Sequence, residues 1–398
     1  MYSESNATSL PEVGNTRGRS DRMRTLIAFW ILGLCNNYGY VVMLTAANDI
    51  IEHNMDSNSD DTNTTSNARD CTYMSTGAIL LADILPALLV KFLAPFIPFM
   101  VHVRVAACVI FAAAGFISVA FGQNITLALM GVVFTAFCSG LGEVTYLQYS
   151  SFYQRNVVSA WSSGTGGAGV IGALSYSLLQ YFGMKTSLLI MLVVPASMAI
   201  SFWIILPKPM TDQIPTEFDE EKIEIPHPGF LAKLRLIPRV LKYMIPFALV
   251  YLFEYFINQG TFELIKIKNS SIPQDSQYRW LQVTYQVGVF ISRSSVNLFH
   301  IRQTWIMAFL QGVNVIIFTT EAIYYYIPNF YIVVALVLWE GLLGGSSYVN
   351  TYYRISTEVP QENKQYYMAI TAFGDSAGIS LAGLFAILAH NKICDMPL

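Results

Sequence analysis

Long apolar runs recur along this chain, and no other feature narrows its fold as far. A membrane-crossing helix needs roughly 20 mostly apolar residues. Eleven such runs are read at about 25–48, 75–99, 104–123, 126–150, 161–182, 186–206, 243–265, 279–299, 304–325, 328–350 and 366–389. Most show no polar stripe at helical spacing, which a helix on the surface of a soluble domain would carry. Charged residues make up 12% of the 398 positions, about half of what a soluble domain carries. The expectation is therefore an all-α polytopic membrane protein with its helices in two bundles. Its parts would be a tail at 1–24, a six-helix bundle at 25–206 with a loop at 50–74, a linker at 207–242, a second helical bundle at 243–390 and a tail at 391–398.

Lysine and arginine near the ends of the runs set the orientation. Arg17, Arg19, Arg22 and Arg24 precede the first run and predict a cytosolic N-terminus. The loops holding Arg104, Arg155, Lys208 to Lys242, Arg302, and Arg354 with Lys364 fall on the same side. The acceptor sequences at Asn63 and Asn269 fall on the opposite, lumenal side, which makes both candidate glycosylation sites. A net charge of −3 supplies no basic field for nucleic acid. The five cysteines form no CxxC pair and the histidines have no ligand spacing, so neither a metal nor a cofactor is expected. The sequence leaves open whether Cys71 and Cys394 meet across the lumenal face.

Six runs, a polar linker and five more runs suggest an internal duplication. "GEVTYLQ" (Gly142–Gln148) in the fourth run resembles "GGSSYVN" (Gly344–Asn350) in the tenth, which aligns Tyr146 with Tyr348 and Gln148 with Asn350. The stretch "WSSGTGGAGVIGALSY" (Trp161–Tyr176) looks at first like a phosphate-binding loop. It lacks the lysine of a Walker A motif, and the strand and acidic residue of a dinucleotide fold. Within an apolar run, Gly166, Gly167, Gly169 and Gly172 instead let another helix approach closely. A helix lining a solute path is compatible with the same glycines.

Ionisable groups inside membrane spans are costly and tend to face a partner or a wet cavity. Lys91, Glu143, Glu254, Arg293, Glu340 and Asp375 all fall within runs, as do Asp83, Glu263 and Glu321. Buried ion pairs would explain some of them. The sharper expectation is a substrate and ion pathway formed by Lys91, Glu143, Tyr146, Gln148, Glu254, Arg293, Glu340, Tyr348, Asn350 and Asp375. Arg293 and Lys91 could hold an anionic headgroup. Glu143, Glu254 or Glu340 could take up a proton. No nucleophile–base pair stands out, so no catalytic residues and no enzyme are expected.

The segments "WILGLCNNYGYVVMLTAANDI" (Trp30–Ile50), "LLADILPALLVKFLAP" (Leu80–Pro95), "GLGEVTYLQ" with "WSSGTGGAG", "EYFINQGTFEL" (Glu254–Leu264), "QYRWLQVTYQVGVFISRSS" (Gln277–Ser295) and "WEGLLGGSSYVNT" (Trp339–Thr351) resemble the battenin family of lysosomal membrane proteins. The resemblance runs from Trp30 to about His390. It implies a fold like that of the major facilitator superfamily and a place in lysosomal and late endosomal membranes. It also implies export of small anionic lipid-derived solutes such as glycerophosphodiesters, in support of lysosomal pH and autophagy. By motif match, Glu254, Arg293 and Asp375 fall at positions regarded as functionally sensitive in the family. The partners expected are a small anionic solute, protons as the candidate coupling ion, the lipid bilayer, and proteins at the cytosolic linker. The alternative expectation is a non-transporting scaffold that regulates lysosomal pH and endolysosomal trafficking, with its partners bound around Thr216–Ile225. The ending "CDMPL" sets Cys394 fifth from the end, one place away from a prenylation box.

Overall fold

The computed structural model describes residues 13–46, 76–122, 125–154, 156–209, 230–265, 267, 274–296 and 298–396. Among the described residues, eleven long helical segments follow one another: α1 (Val13–Thr45), α2 (Thr76–Leu93), α3 (Val101–Ala120), α4 (Ile125–Ser150), α5 (Asn156–Leu179), α6 (Met184–Ile205), α7 (Phe230–Gly260), α8 (Gln274–Ser294), α9 (Thr304–Tyr324), α10 (Phe330–Glu358) and α11 (Gln361–Cys394). Among the described residues there is no strand. Eight of the segments are long and apolar enough to cross a membrane by length and composition. Ile110, Leu178, Phe309, Ile316 and Leu388 lie exposed on the outside of the bundle, as side chains that meet lipid must.

Each expected run is a helix, but several helices outgrow their apolar stretch. α7 begins at Phe230, inside the segment read as linker, because the basic turns around Arg235 and Arg239 continue the helix beyond the apolar part. α10 continues to Glu358, and its last turn is held by a two-pronged Arg354–Glu358 pair at 2.8 and 3.1 Å. That pair has the four-residue spacing at which charges meet on a helix. α2 stops early instead, and a short 3-10 turn over Ala94–Phe96 with Pro95 at its start takes over. α6 is interrupted near Met191 and finishes in a π-helical turn over Ser201–Ile205. Asn63, Asn269, the loop at 50–74, Cys71 and the linker segment around Thr216–Ile225 lie outside the described residues. Cys35, Cys108 and Cys138 are buried free thiols, whereas Cys394 is disulfide-bonded.

The helices pack as two halves, α1–α6 and α7–α11. In the first, α1 lies along α5 and α3 along α4; in the second, α7 lies along α11 and α8 along α10. The halves meet where α2 and α4 face α11, and where α5 faces α8. Backbone contact brings α1 and α5 together. A Cβ on Gly33 would sit 2.5 Å from the Trp161 carbonyl oxygen, and one on Gly164 would strike the Trp30 carbonyl. Only glycine permits that approach, which is the usual means by which helices associate without a hydrophobic drive between them.

Candidate transport site

Polar groups from both halves converge where the halves meet. Lys91 on α2 places its ammonium 2.5 Å from Oε2 of Glu143 on α4 and 2.9 and 3.1 Å from the two carboxylate oxygens of Asp375 on α11. Asp375 also accepts from the backbone N–H and, at 3.1 Å, from the hydroxyl of Ser376. The Tyr348 hydroxyl on α10 donates to Glu143 Oε1 at 2.7 Å and accepts from Trp161 Nε1 on α5 at 3.0 Å. Removing one member of so buried a cluster would strand its partners without water, the condition under which polar groups cost most.

Arg293 is set differently. Its guanidinium lies 4.1 Å from the centre of the Tyr348 ring. Nη1 donates to Thr165 Oγ1 on α5 at 2.7 Å and Nη2 to the Tyr251 hydroxyl on α7 at 2.8 Å. Nε has no partner, and among the described residues no carboxylate lies within 4.0 Å of it. A buried guanidinium held only by hydroxyls and a ring face retains its charge and part of its planar fork for another group. α5 can run this close to α8 because of its glycines. A Cβ on Gly166 would lie 3.1 Å from the Phe290 Cα and 3.3 Å from Arg293 Cδ, and one on Gly169 would overlap the Gln286 carboxamide. Gly172 faces α1 at Val41, and Gly167 sits between Trp30 of α1 and Phe290 of α8.

A second group of carboxylates lies beyond this network along α7 and α10. Glu254 accepts from the Tyr285 hydroxyl through Oε1, while its Oε2 has no hydrogen-bond partner. Its carboxylate rests on Gly344, where a Cβ would overlap it. Glu340 and Asp83 are fully buried, and neither makes a hydrogen bond through its carboxylate. Tyr40 of α1 reaches Tyr255 of α7 at 3.4 Å, so hydroxyls join the halves at this level too.

Of the ten residues read as a pathway, the structure brings Lys91, Glu143, Arg293, Tyr348 and Asp375 into one network. It buries Glu254 on α7 and Glu340 on α10 in the second half. The other three lie elsewhere. Tyr146 packs its ring 5.3 Å from Trp161 inside the first half, and its hydroxyl has no partner. Gln148 accepts from Arg104 at 2.8 Å. Asn350 accepts from the Ile301 amide at 2.6 Å. Lys91, expected to meet an anionic headgroup, is already neutralised by two carboxylates. The expected wet chamber is closed in this conformation: Lys91, Glu143, Glu254, Arg293, Tyr348 and Asp375 are each at most 9% exposed. Trp161, Thr165 and Tyr251 belong to the network and were not singled out from the sequence. Their signal was position: Trp161 and Thr165 share a face of the glycine-rich helix, and Tyr251, Glu254 and Tyr255 share a face of α7.

A family model described as CLN3 protein matches residues 27–228 and 219–396. The chain belongs to the CLN3 protein family. Among CLN3-family relatives, battenin of Canis lupus familiaris is 42% identical, over 94% of this chain and 92% of that protein. Protein BTN1 of Yarrowia lipolytica is 35% identical, over 92% of this chain and 94% of that protein. Solved structures show that this CLN3-family chain has the fold of the major facilitator superfamily. The human organic anion transporter MFSD10 (TETRAN) superposes with a TM-score of 0.63 over 94% of this chain and 96% of its own, at 11% identity. The proton:xylose symporter XylE superposes with a TM-score of 0.62 over 94% and 90%, at 12% identity. The CLN3-family chain is thus a multi-pass membrane protein with a transporter-like fold.

Proposed function

We propose that this protein is a transporter of the lysosomal membrane that exports small anionic, lipid-derived solutes such as glycerophosphodiesters to the cytosol, with protons as the coupling ion. The observation that carries the reading is Arg293, a buried cation between the halves with neutral oxygens and a ring around it and, among the described residues, no carboxylate in contact. A phosphodiester carries one negative charge on two equivalent oxygens, which suits a guanidinium fork. Thr165 and Tyr251 supply hydroxyls beside it for the alcohol groups of such a solute. The dog relative's name, battenin, supports the lysosomal address, and the neighbour described as an organic anion transporter handles solutes of the same sign.

The halves would rock about the α2–α11 and α5–α8 contacts, as the two bundles of alternating-access carriers do. At the end where α2 finishes, Lys91–Asp375, Gln361 to the Ser151 carbonyl at 2.6 Å, and Ser163 to Ser294 at 2.9 Å bind one half to the other. With a cytosolic N-terminus that end is cytosolic, so this conformation is closed to the cytosol. Efflux from liposomes containing the purified protein tests the proposal, with glycerophosphodiesters compared against basic amino acids, with and without a pH gradient. Arg293→Ala should abolish efflux of the anionic solute while protein yield and localisation stay near normal. Loss of yield in step with loss of efflux would make Arg293 a structural group and remove the main support for an anionic substrate.

A further inference from the structure

The second half carries an open basic cleft at the face where α8 ends and α10 finishes. Its volume is about 350 Å³ and its walls include His300, Arg302, Tyr353, Arg354 and Glu358. Glu358 is the sole acid among the lining residues. It is already consumed by the two-pronged contact with Arg354 and by the Tyr243 hydroxyl at 2.9 Å. Arg302 and His300 are exposed, and among the described residues neither pairs with a carboxylate. Among the described residues, the Arg302 guanidinium therefore has no countercharge in the cleft.

The fold does not require this opening. At the corresponding turn of the first half, between α2 and α3, Arg104 fills the space with its own side chain. It is 6% exposed and donates to the carbonyls of Ala94, Ile97 and Pro98 at 2.7, 2.9 and 3.3 Å, and to Gln148 at 2.8 Å. In the second half Asn350, the residue aligned with Gln148, receives only the Ile301 amide, and no guanidinium closes the space. The chain on either side of His300 and Arg302 is apolar and strongly exposed at Leu298, Phe299 and Trp305. A cationic cleft flanked by exposed apolar side chains is what the boundary between lipid headgroups and acyl chains favours.

We propose that this cleft binds the headgroup of a lipid carrying a phosphomonoester, in the leaflet it faces. A phosphomonoester brings nearly two negative charges and three acceptor oxygens, which suits Arg302 and His300 together better than the single net charge of a serine headgroup. The acyl chains would lie on the exposed Leu298, Phe299 and Trp305. On the orientation proposed above the leaflet is cytosolic, but the site itself does not depend on the transport reading. Native mass spectrometry of the full-length protein in detergent tests the inference with three probes: a short-chain phosphatidylinositol monophosphate, a short-chain phosphatidylserine and the soluble inositol bisphosphate headgroup. The phosphoinositide should be retained most strongly. Arg302→Gln should weaken its retention about fivefold, the effect of one interfacial charge. Arg239→Gln, at an exposed cation of α7 that does not line the cleft, should leave retention unchanged. Equal retention of phosphatidylserine, or an equal loss in Arg239→Gln, would reduce the effect to diffuse surface charge and overturn the site. Equally tight binding of the soluble headgroup would overturn its assignment to a lipid.

Discussion

Replacing Lys91 by methionine keeps the length of the side chain and removes its charge. The ammonium lies 2.5 Å from Glu143 and 2.9 Å from Asp375. At an effective dielectric of about 20, one contact at ~2.9 Å is an attraction of about 6 kcal/mol, and desolvation of the ions offsets most of it. Once the cation is gone, two carboxylates remain in a closed interface without a countercharge, which costs roughly 3–5 kcal/mol. Lys91→Met should therefore be strongly destabilised in chemical unfolding of the protein in mixed micelles. Adding Asp375→Asn to Lys91→Met removes one of the stranded charges and should recover part of the loss. In a double-mutant cycle the two changes should depart from additivity by about 1–3 kcal/mol. Additivity to within ~0.5 kcal/mol would mean that the two groups do not touch and that nothing ionic holds α2 to α11.

Two further substitutions separate the parts of the site. Tyr348→Phe keeps the ring under Arg293 but removes the hydroxyl that joins Trp161 to Glu143. It should cost about 1–3 kcal/mol in stability and slow liposome efflux by roughly tenfold, about 1.4 kcal/mol on the barrier, and a loss as complete as that of Arg293→Ala would contradict the separate roles given to ring and hydroxyl. Gly164→Ala drives a methyl group into the Trp30 carbonyl. Its cost should be about 1–3 kcal/mol, seen as a lower unfolding midpoint, and an unchanged midpoint would show that α1 and α5 are not in backbone contact.

The helices were legible because lipid leaves a chain little choice: a run of some twenty apolar residues has few other places to go. Their ends were harder to read. The first turns of α7 carry Arg235 and Arg239, so hydropathy alone could not tell a helix there from a linker. Within the site, the charged residues stood out as anomalies, but their pairing did not. Lys91 and Asp375 are 284 residues apart, and Trp161 and Tyr348 are 187 apart. No local spacing reports such contacts. The internal echo was half informative. It aligned Tyr146 with Tyr348, yet one hydroxyl is unpartnered inside its own half while the other bridges the two halves. Repeated sequence reproduces a helix face, and the neighbouring helix decides what that face meets.

Lys91 is shared between a carboxylate of its own half and one of the other half. If the halves part in transport as proposed, the ammonium would stay with Glu143 and Asp375 would keep only its hydrogen bonds from Ser376. Demand for a new positive charge would then arise on one side of that interface, and only while it stood open. A carrier wired in this way would favour cycling when a cation or a proton reaches Asp375, and would tend to remain shut when none does.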